Sequence, residues 1–403
     1  MDLHFSKENK DFRAEVIQFI KDHVPAGMEA EEAESAWEER EDVWEHAKRY
    51  FRALGERRWL TMSWPEHYGG LNWGAVRLAI YHEEAAYRGA PMHFTFISAV
   101  GNLGGSIIQY GTDEQKRSYL PRIVTGEVGA CNGLSEPGAG SDLAALQTRA
   151  VRNGDYYVVN GQKTFTTYAH RADYMRLAAR TDPEASRHRG ITLFILDMKS
   201  PGVTVRPLWN LLGGRQNEVF FDDVHIPAEN VIGEVDKGWY QLGDNPRYGF
   251  GSSVAGPARA RKLLEEFIDF AKHSEYQGRR LSSDPYFQHR VAELAIELEV
   301  WRVISWRAVI SRESSSSVQR VGGGLHNATN SLGALWGKEW MPKFSHTIVE
   351  LLSSYPKLTT EPSVAPFLSK MNTLRLASYG NHGHGTPELQ RNVISTRGLG
   401  LPR

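Results

Sequence analysis

Leu134-Ser135-Glu136-Pro137-Gly138-Ala139-Gly140-Ser141-Asp142 decides how this chain is read. Small residues fill the stretch, and Ser135 and Ser141 add hydroxyls. A turn of this kind lets backbone N–H groups approach a planar or phosphorylated ligand without obstruction by Cβ atoms. Plain surface turns share the composition. Its meaning therefore depends on what stands around it.

Just upstream lies Cys131, the single cysteine among 403 residues. One cysteine excludes an internal disulfide and fits a reducing cytoplasm. A buried apolar strand position accounts for it better than a reactive thiol beside a ligand. Downstream, to about residue 235, the pattern is that of strands. Tyr156-Tyr157-Val158-Val159 runs into Asn160-Gly161, a pair that signals a hairpin turn. Gly190 to Leu196 and Val219-Phe220-Phe221 supply further strands.

On the N-terminal side the pattern is helical. Phe12, Val16, Phe19, Ile20 and Val24 recur at helical spacing, and Ser6 is placed to cap that helix. Glu29 to Glu45 is acidic and weakly periodic, a solvated face. Arg77 to Tyr87 and Phe94 to Tyr110 continue the helical pattern, the second with few charges and so buried. From about residue 240 helices return, with Leu263, Phe267 and Phe270 on one face and Val291, Leu294, Leu298 and Trp301 on another. Ser314 to Ser317 through Gly322-Gly323-Gly324 reads as a flexible linker. The division expected is helical 1–125, β 126–238 and helical 239–403, an α+β chain.

Composition excludes several function classes. Lys and Arg total 47 against 48 Asp and Glu, a net charge of −1, so no general nucleic-acid surface is expected. No apolar run reaches the roughly 20 residues that span a bilayer. Met1 to Glu8 lacks an apolar signal core, so a cytoplasmic location is expected. Tryptophans such as Trp301, Trp306, Trp336 and Trp340 read as packing residues of helices.

Further segments follow the glycine loop's lead in a fixed order. They are Trp64-Pro65-Glu66-His67-Tyr68-Gly69-Gly70; Tyr110 to Lys116 with Leu120-Pro121; and Asn160-Gly161-Gln162-Lys163-Thr164-Phe165-Thr166-Thr167. Asp222 to Pro227, Gly238-Trp239, Gly385-Thr386-Pro387-Glu388 and Arg397-Gly398-Leu399-Gly400-Leu401-Pro402 complete the set. From Trp64 to Pro402 this ordered set resembles the acyl-CoA dehydrogenases.

The resemblance implies that family's fold: an N-terminal helical domain, a middle β-barrel-like domain and a C-terminal four-helix bundle. It implies FAD-dependent α,β-dehydrogenation of an acyl-CoA thioester. In that reaction a base takes the α-proton while the β-hydrogen leaves as hydride to the flavin. Asn132, Leu134, Ser135, Gly140 and Ser141 match the flavin loop, with Ser141 toward the CoA portion. Phe165, Thr166 and Thr167 match the other wall of the flavin, Phe165 standing where the family usually carries tryptophan. Asp244 and Arg247 match the start of a helix lining the acyl-CoA site. An electron-transferring flavoprotein is the implied acceptor, and a homo- or hetero-oligomer the implied assembly. Glu136, by its place in the match, is structural.

The chain departs from the family at the base. The family's glutamate immediately precedes the closing Gly-Thr pair, and that position is His384. A minority carries it just before the helix arginine, and that position is Pro246. Three readings follow. His384 acts as the base, since imidazole accepts protons near neutrality, with Asp244 a weaker substitute. Alternatively the chain is the catalytically silent partner in a mixed oligomer, as in dehydrogenases of this family acting on steroid side chains. Arg279-Arg280-Leu281 departs from the usual Arg-x-x-Phe-Gly element, and the Gly-rich element is missing around Leu351 to Lys357. In the third reading the scaffold runs other flavin chemistry, as in related desulfinases and monooxygenases, or only binds. His382 and His384 form a His-x-His pair, but such a pair needs a third ligand from elsewhere and a flavin reaction needs no metal, so none is expected. The reading adopted is dehydrogenation of a bulky or branched acyl-CoA.

Overall fold

A computed structural model describes residues 5–25, 40–211, 214–243, 253–314, 328–355, 365–379, 383 and 385–402. The linker anticipated at 314–324 falls almost wholly outside them. Along the chain come helices α1 (Lys7–His23), α2 (Glu41–Glu56), α3 (Ala75–Tyr87) and α4 (Phe94–Ser98). A π-helical turn (Ala99–Gly104), α5 (Gly105–Tyr110) and α6 (Asp113–Val124) follow. Strands β1 (Ala130–Gly133), β2 (Arg149–Asn153), β3 (Tyr156–Lys163), β4 (Tyr174–Arg180), β5 (Ile191–Asp197), β6 (Val203–Trp209), β7 (Arg215–Pro227) and β8 (Val231–Ile232) come next. After them stand α7 (Gly238–Gly243), α8 (Ala255–His273), the short hairpin β9 (Glu275–Tyr276) and β10 (Arg279–Arg280), and α9 (Pro285–Ser314). The chain closes with α10 (Thr329–Ser353), α11 (Ala365–Tyr379) and α12 (Pro387–Val393). The expected order, helical then sheet then helical, is present.

The chain forms two compact units, each assembled from separate stretches. One comprises Met1–Glu34, Gly74–Ala90 and Ser252–Arg403, the other Ser35–Trp73 and Pro91–Gly251. In the first, the long helices α8 to α11 share an apolar core that includes Leu263, Phe267, Leu294, Trp301, Trp340, Phe344 and Met371. The tryptophans are packing residues, as their helical context suggested. Helix α1 begins where Ser6 Oγ accepts the Asn9 N–H at 3.3 Å, and it buries Phe12, Val16, Phe19 and Ile20. Two carboxylates, buried Glu84 and half-buried Glu83, fasten α3: Glu84 takes Arg13 at 2.8 Å and Arg88 at 3.1 Å, while Glu83 takes Arg13 at 2.7 Å and the Trp306 indole at 2.8 Å.

The second unit is built on one sheet of order β6-β7-β3-β2-β4-β5-β8, with β1 added parallel to β4. Its core side chains come from nearly every strand, among them Cys131, Val159, Met175, Leu177, Phe194, Val219 and Ile226. Tyr157 on β3 and Phe194 on β5 stack edge-on, centroids 5.0 Å apart, although two strands separate them in the sheet. The sheet is thus curled around its own core, as a barrel-like domain requires. Helix α6 is tied to the sheet's last strand through Gln115, whose Nε2 donates to the carbonyls of Glu229 and Val231 at 2.6 and 2.8 Å.

One local expectation fails. Asn160-Gly161 is no hairpin turn; β3 runs straight through it, and the β2–β3 turn falls at Gly154-Asp155. The pair is a bulge, where the register against β7 shifts between Val159 and Gly161. The 13-residue β7 pairs with both halves of β3, and that long partner overrides the local turn signal. Asn160 fixes the bulge by exchanging two 2.9 Å hydrogen bonds with Asp223. At Gly161 φ is +144°, and an added Cβ would lie 2.8 Å from the Thr148 Cα and hydroxyl.

Gly161→Ala is therefore expected to destabilise the fold by about 1–3 kcal/mol, an overpacking penalty. Gly154→Ala, at φ +60° with nothing within 4 Å of the new Cβ, should cost less. Thermal melts of the two variants check the order.

Candidate functional site

The glycine loop leaves β1 and folds beside the end of β3. Lys163, the last residue of β3, is fully buried, and its Nζ donates to Glu136 Oε1 at 2.8 Å and to the Leu134 carbonyl at 2.9 Å. The Thr164 N–H donates to the Ser135 carbonyl at 2.9 Å. The Glu136 carboxylate also receives the N–H groups of Gln147 at 2.6 Å and Thr148 at 2.8 Å. Burial pushes the Lys163 pKa down to about 8 against the pull of Glu136. Burial pushes the Glu136 carboxyl up, but Lys163 and the two N–H donors outweigh it and hold the group below its ordinary value. Glu136 is structural, as expected.

Around this pair the loop closes on itself. Glu136 and Ala139 exchange two backbone hydrogen bonds of 3.0 Å. Gly138, Gly140 and Ser141 are turned outward, and open space surrounds the positions where the two glycines would carry Cβ atoms. A cavity of about 390 Å³ opens beside the loop, lined by Glu136, Pro137, Gly138, Thr148, Gly161 and Gln162 among others.

Beyond Lys163 the backbone is strained. Phe165 and Tyr168 hold φ at +53° and +55°, a conformation costing bulky residues about 1–3 kcal/mol each. Between them, the Thr166 N–H and carbonyl are both bonded at 2.9 Å to the fully buried Asn217. The Phe165 ring is left 66% exposed. Thr167 Oγ1 donates to Gln216 at 3.0 Å, while the buried Thr166 hydroxyl has no hydrogen-bond partner among the described residues. Burial, with the nearby Arg215 and Arg171 charges, pushes the His170 pKa down to about 4.

The structure thus brings Leu134, Ser135, Gly140 and Ser141 onto one loop and Phe165, Thr166 and Thr167 onto the segment bonded to it. Asn132 precedes the loop on β1, where its amide donates to Ser98 Oγ at 3.1 Å and accepts from Arg176 at 3.1 Å. Cys131 is buried in the sheet core, and burial pushes its thiol pKa well up. His384, Asp244 and Arg247, with Pro246 and His382, lie outside the described residues. Beside position 384, the Gly383 carbonyl accepts from Lys338 at 2.9 Å, and Thr386 caps α12 by accepting the Leu389 N–H at 3.2 Å. Among the described residues no cluster of three His, Cys, Asp or Glu side chains could hold a metal, and no helix is long and apolar enough to cross a membrane.

Sequence reasoning gave no role to Lys163, Asn217 or Arg176. Arg176 carried a signal: it is a lone charge inside the apolar run Met175 to Ala179.

The profile of the acyl-CoA dehydrogenase N-terminal domain matches residues 6–127, that of the middle domain 131–224 and that of the C-terminal domain 244–399. The acyl-CoA dehydrogenase FadE26 of Mycobacterium tuberculosis is 35% identical over 355 residues, covering 87% of this chain and 86% of that protein. The solved ChsE4-ChsE5 complex from Mycobacterium tuberculosis is similar at TM-score 0.84 and 30% identity, over 100% of both chains. The solved Tcur3481-Tcur3483 steroid ACAD gives a TM-score of 0.82 at 27% identity, again over 100% of both.

Lys163→Met strands a buried carboxylate and is expected to cost about 3–5 kcal/mol, with Glu136→Gln in the same chain restoring part of it. Because the folded pKa of Glu136 is lowered, its contribution is complete above its ordinary value of 4.5 and fades as pH falls through the lowered one. Melting temperatures of both variants against pH test each statement.

Proposed function

This chain belongs to the acyl-CoA dehydrogenase family, whose members are FAD-dependent oxidoreductases, and we propose that it dehydrogenates a bulky or branched acyl-CoA thioester. The observation carrying the proposal is the clamped pair of segments, 134–142 and 163–167, joined through Lys163 and Glu136. The residues present suit FAD. Open glycines and outward small residues admit a flat ring and its phosphates, and the Thr166 hydroxyl, unpartnered among the described residues, and the exposed Phe165 ring mark a surface built for a further group. Asn132, Leu134, Ser135, Gly140 and Ser141 would hold FAD along the loop, with Phe165, Thr166 and Thr167 as the opposite wall.

When bound, FAD supplies the acceptor for the β-hydrogen. The chain must supply the rest. An α-proton is too weakly acidic to leave unless donors polarise the thioester oxygen, each worth about 2.7–4 kcal/mol in other enzymes. A base must also stand within hydrogen-bond reach of the α-carbon. We assign the base to His384, beside the Gly383 carbonyl that Lys338 anchors. Asp244 and Arg247 are assigned to the acyl-CoA side. Domain limits at 125 and 238, a cytoplasmic location and electron transfer to an electron-transferring flavoprotein complete the proposal, the location supported by the single cysteine.

A second reading is favoured by one observation, the absence of a carboxylate at both 384 and 246. In it the chain is the silent subunit of a mixed oligomer acting on a steroid-bearing acyl-CoA. The likeness to the ChsE4-ChsE5 complex and the Tcur3481-Tcur3483 steroid ACAD supports an assembly of two different chains.

Anaerobic addition of acyl-CoA thioesters of graded bulk to the purified yellow protein decides between them. Bleaching of the flavin band is expected, and His384→Ala should slow it about 10²–10⁴-fold. A flavin that no thioester bleaches, in a preparation of this chain alone, favours the mixed assembly. An unaltered rate in His384→Ala removes His384 as base.

A further inference from the structure

Among the described residues, the second unit holds a buried cation with no counter-charge. Arg176 stands in β4 between Met175 and Leu177, which point into the sheet core. Strand alternation turns Arg176 to the other face, where it is Cα partner to Asn132 of β1. There it is only 4% exposed. Its Nε donates to Asn132 Oδ1 at 3.1 Å, and its Nη1 to Ser106 Oγ at 3.0 Å and the Asn102 carbonyl at 3.4 Å. All three acceptors are neutral. Among the described residues no carboxylate pairs with it, and its Nη2 donates no hydrogen bond.

Burying a guanidinium without a counter-ion is costly. Burial lowers its pKa to about 10, which leaves it charged at neutral pH. The surroundings are shaped to hold it. The π-helical turn Ala99–Gly104 brings the Asn102 carbonyl to it, and π-turns of this kind recur at functional sites. Asn132 in turn is held from both sides, its oxygen by Arg176 and its nitrogen by the buried Ser98 hydroxyl, which also takes the Asn102 amide at 3.3 Å. A preorganised cation of this kind is of use where negative charge develops during reaction.

Asn132 opens the segment assigned above to FAD, and a cofactor that took up the β-hydrogen as hydride would gain one net negative charge there. We propose that Arg176 is a positioning residue for the flavin site: it fixes the Asn132 amide and keeps an unpaired positive charge behind it, favouring the reduced cofactor. The assignment rests on the FAD reading. It accounts for a buried charge that has no anion beside it among the described residues.

The test is an anaerobic, dye-equilibrated redox titration of the FAD-loaded protein at fixed pH, with melting temperature and FAD content as controls. Arg176→Met is expected to lower the flavin potential by at least about 30 mV, a tenfold shift of a two-electron equilibrium. Arg176→Lys should restore most of it, because charge and not shape is at issue. Should Arg176→Met fail to fold, Arg176→Gln keeps hydrogen bonding and removes the charge. A loaded variant lacking the charge, with wild-type potential, overturns the assignment and leaves the FAD reading intact. So does an unchanged potential with a raised KM for the thioester, which would give the cation to the acyl group. Loss of FAD from both neutral variants would reduce Arg176 to a structural role and also overturn it. A wild-type chain that takes up no FAD overturns both.

Discussion

The glycine loop depends on one buried ion pair. Loops rich in small residues have little apolar surface with which to fold, and ordering each residue costs about 1–2 kcal/mol of backbone entropy. Lys163 and Glu136 supply the anchor that composition cannot. One ammonium binds a carboxylate and a carbonyl of the same loop, and the carboxylate is completed by two backbone donors from the loop's return. A buried pair of this kind is weak evidence for extra stability, but breaking it is severe. Its contribution is best understood as geometry: it ties the loop to the end of β3.

Irregular backbone gathers around the same place. β3 carries the bulge at Asn160-Gly161, the chain after it holds two bulky residues in left-handed conformation, and the helix facing β1 contains a π turn. Each is a departure that regular pairing would remove, and each sits next to a residue assigned to the site. Asn217 shows how the strain is held, since its backbone carbonyl accepts the Thr166 N–H and its buried side-chain amide donates to the Thr166 carbonyl. Rigid strands on either side allow one exposed aromatic ring to be presented without a loop of its own.

Much of this was legible in the sequence. Helical spacing located α1 and its serine cap, strand-like runs located β3, β5 and β7, and the loop stood out by composition. What stayed hidden was set by partners distant in sequence. Asn160-Gly161 is a sound turn signal over four residues, and only the long β7 on its other side makes it a bulge. Lys163 could not be paired with Glu136 by spacing, because 27 positions and the whole β2–β3 hairpin separate them. Arg176 was visible as an anomaly in an apolar strand, but only the register with β1 shows that it meets Asn132. The residues ahead of Gly385 and Arg247 keep their sequence-based assignments alone.

The interleaving of the two units in the chain bears on how the protein is made. The second unit is complete once residue 251 has emerged, whereas the first draws on Met1–Glu34 and Gly74–Ala90 and then on everything from Ser252 onward. At roughly 5–20 residues per second of synthesis, α1 and α3 leave the ribosome at least several seconds before α8 begins to follow. Throughout that interval the apolar face of α3 that α8 will cover is without its partner. A nascent chain of this design therefore carries apolar helical surface near its beginning that stays uncovered until α8 has been made.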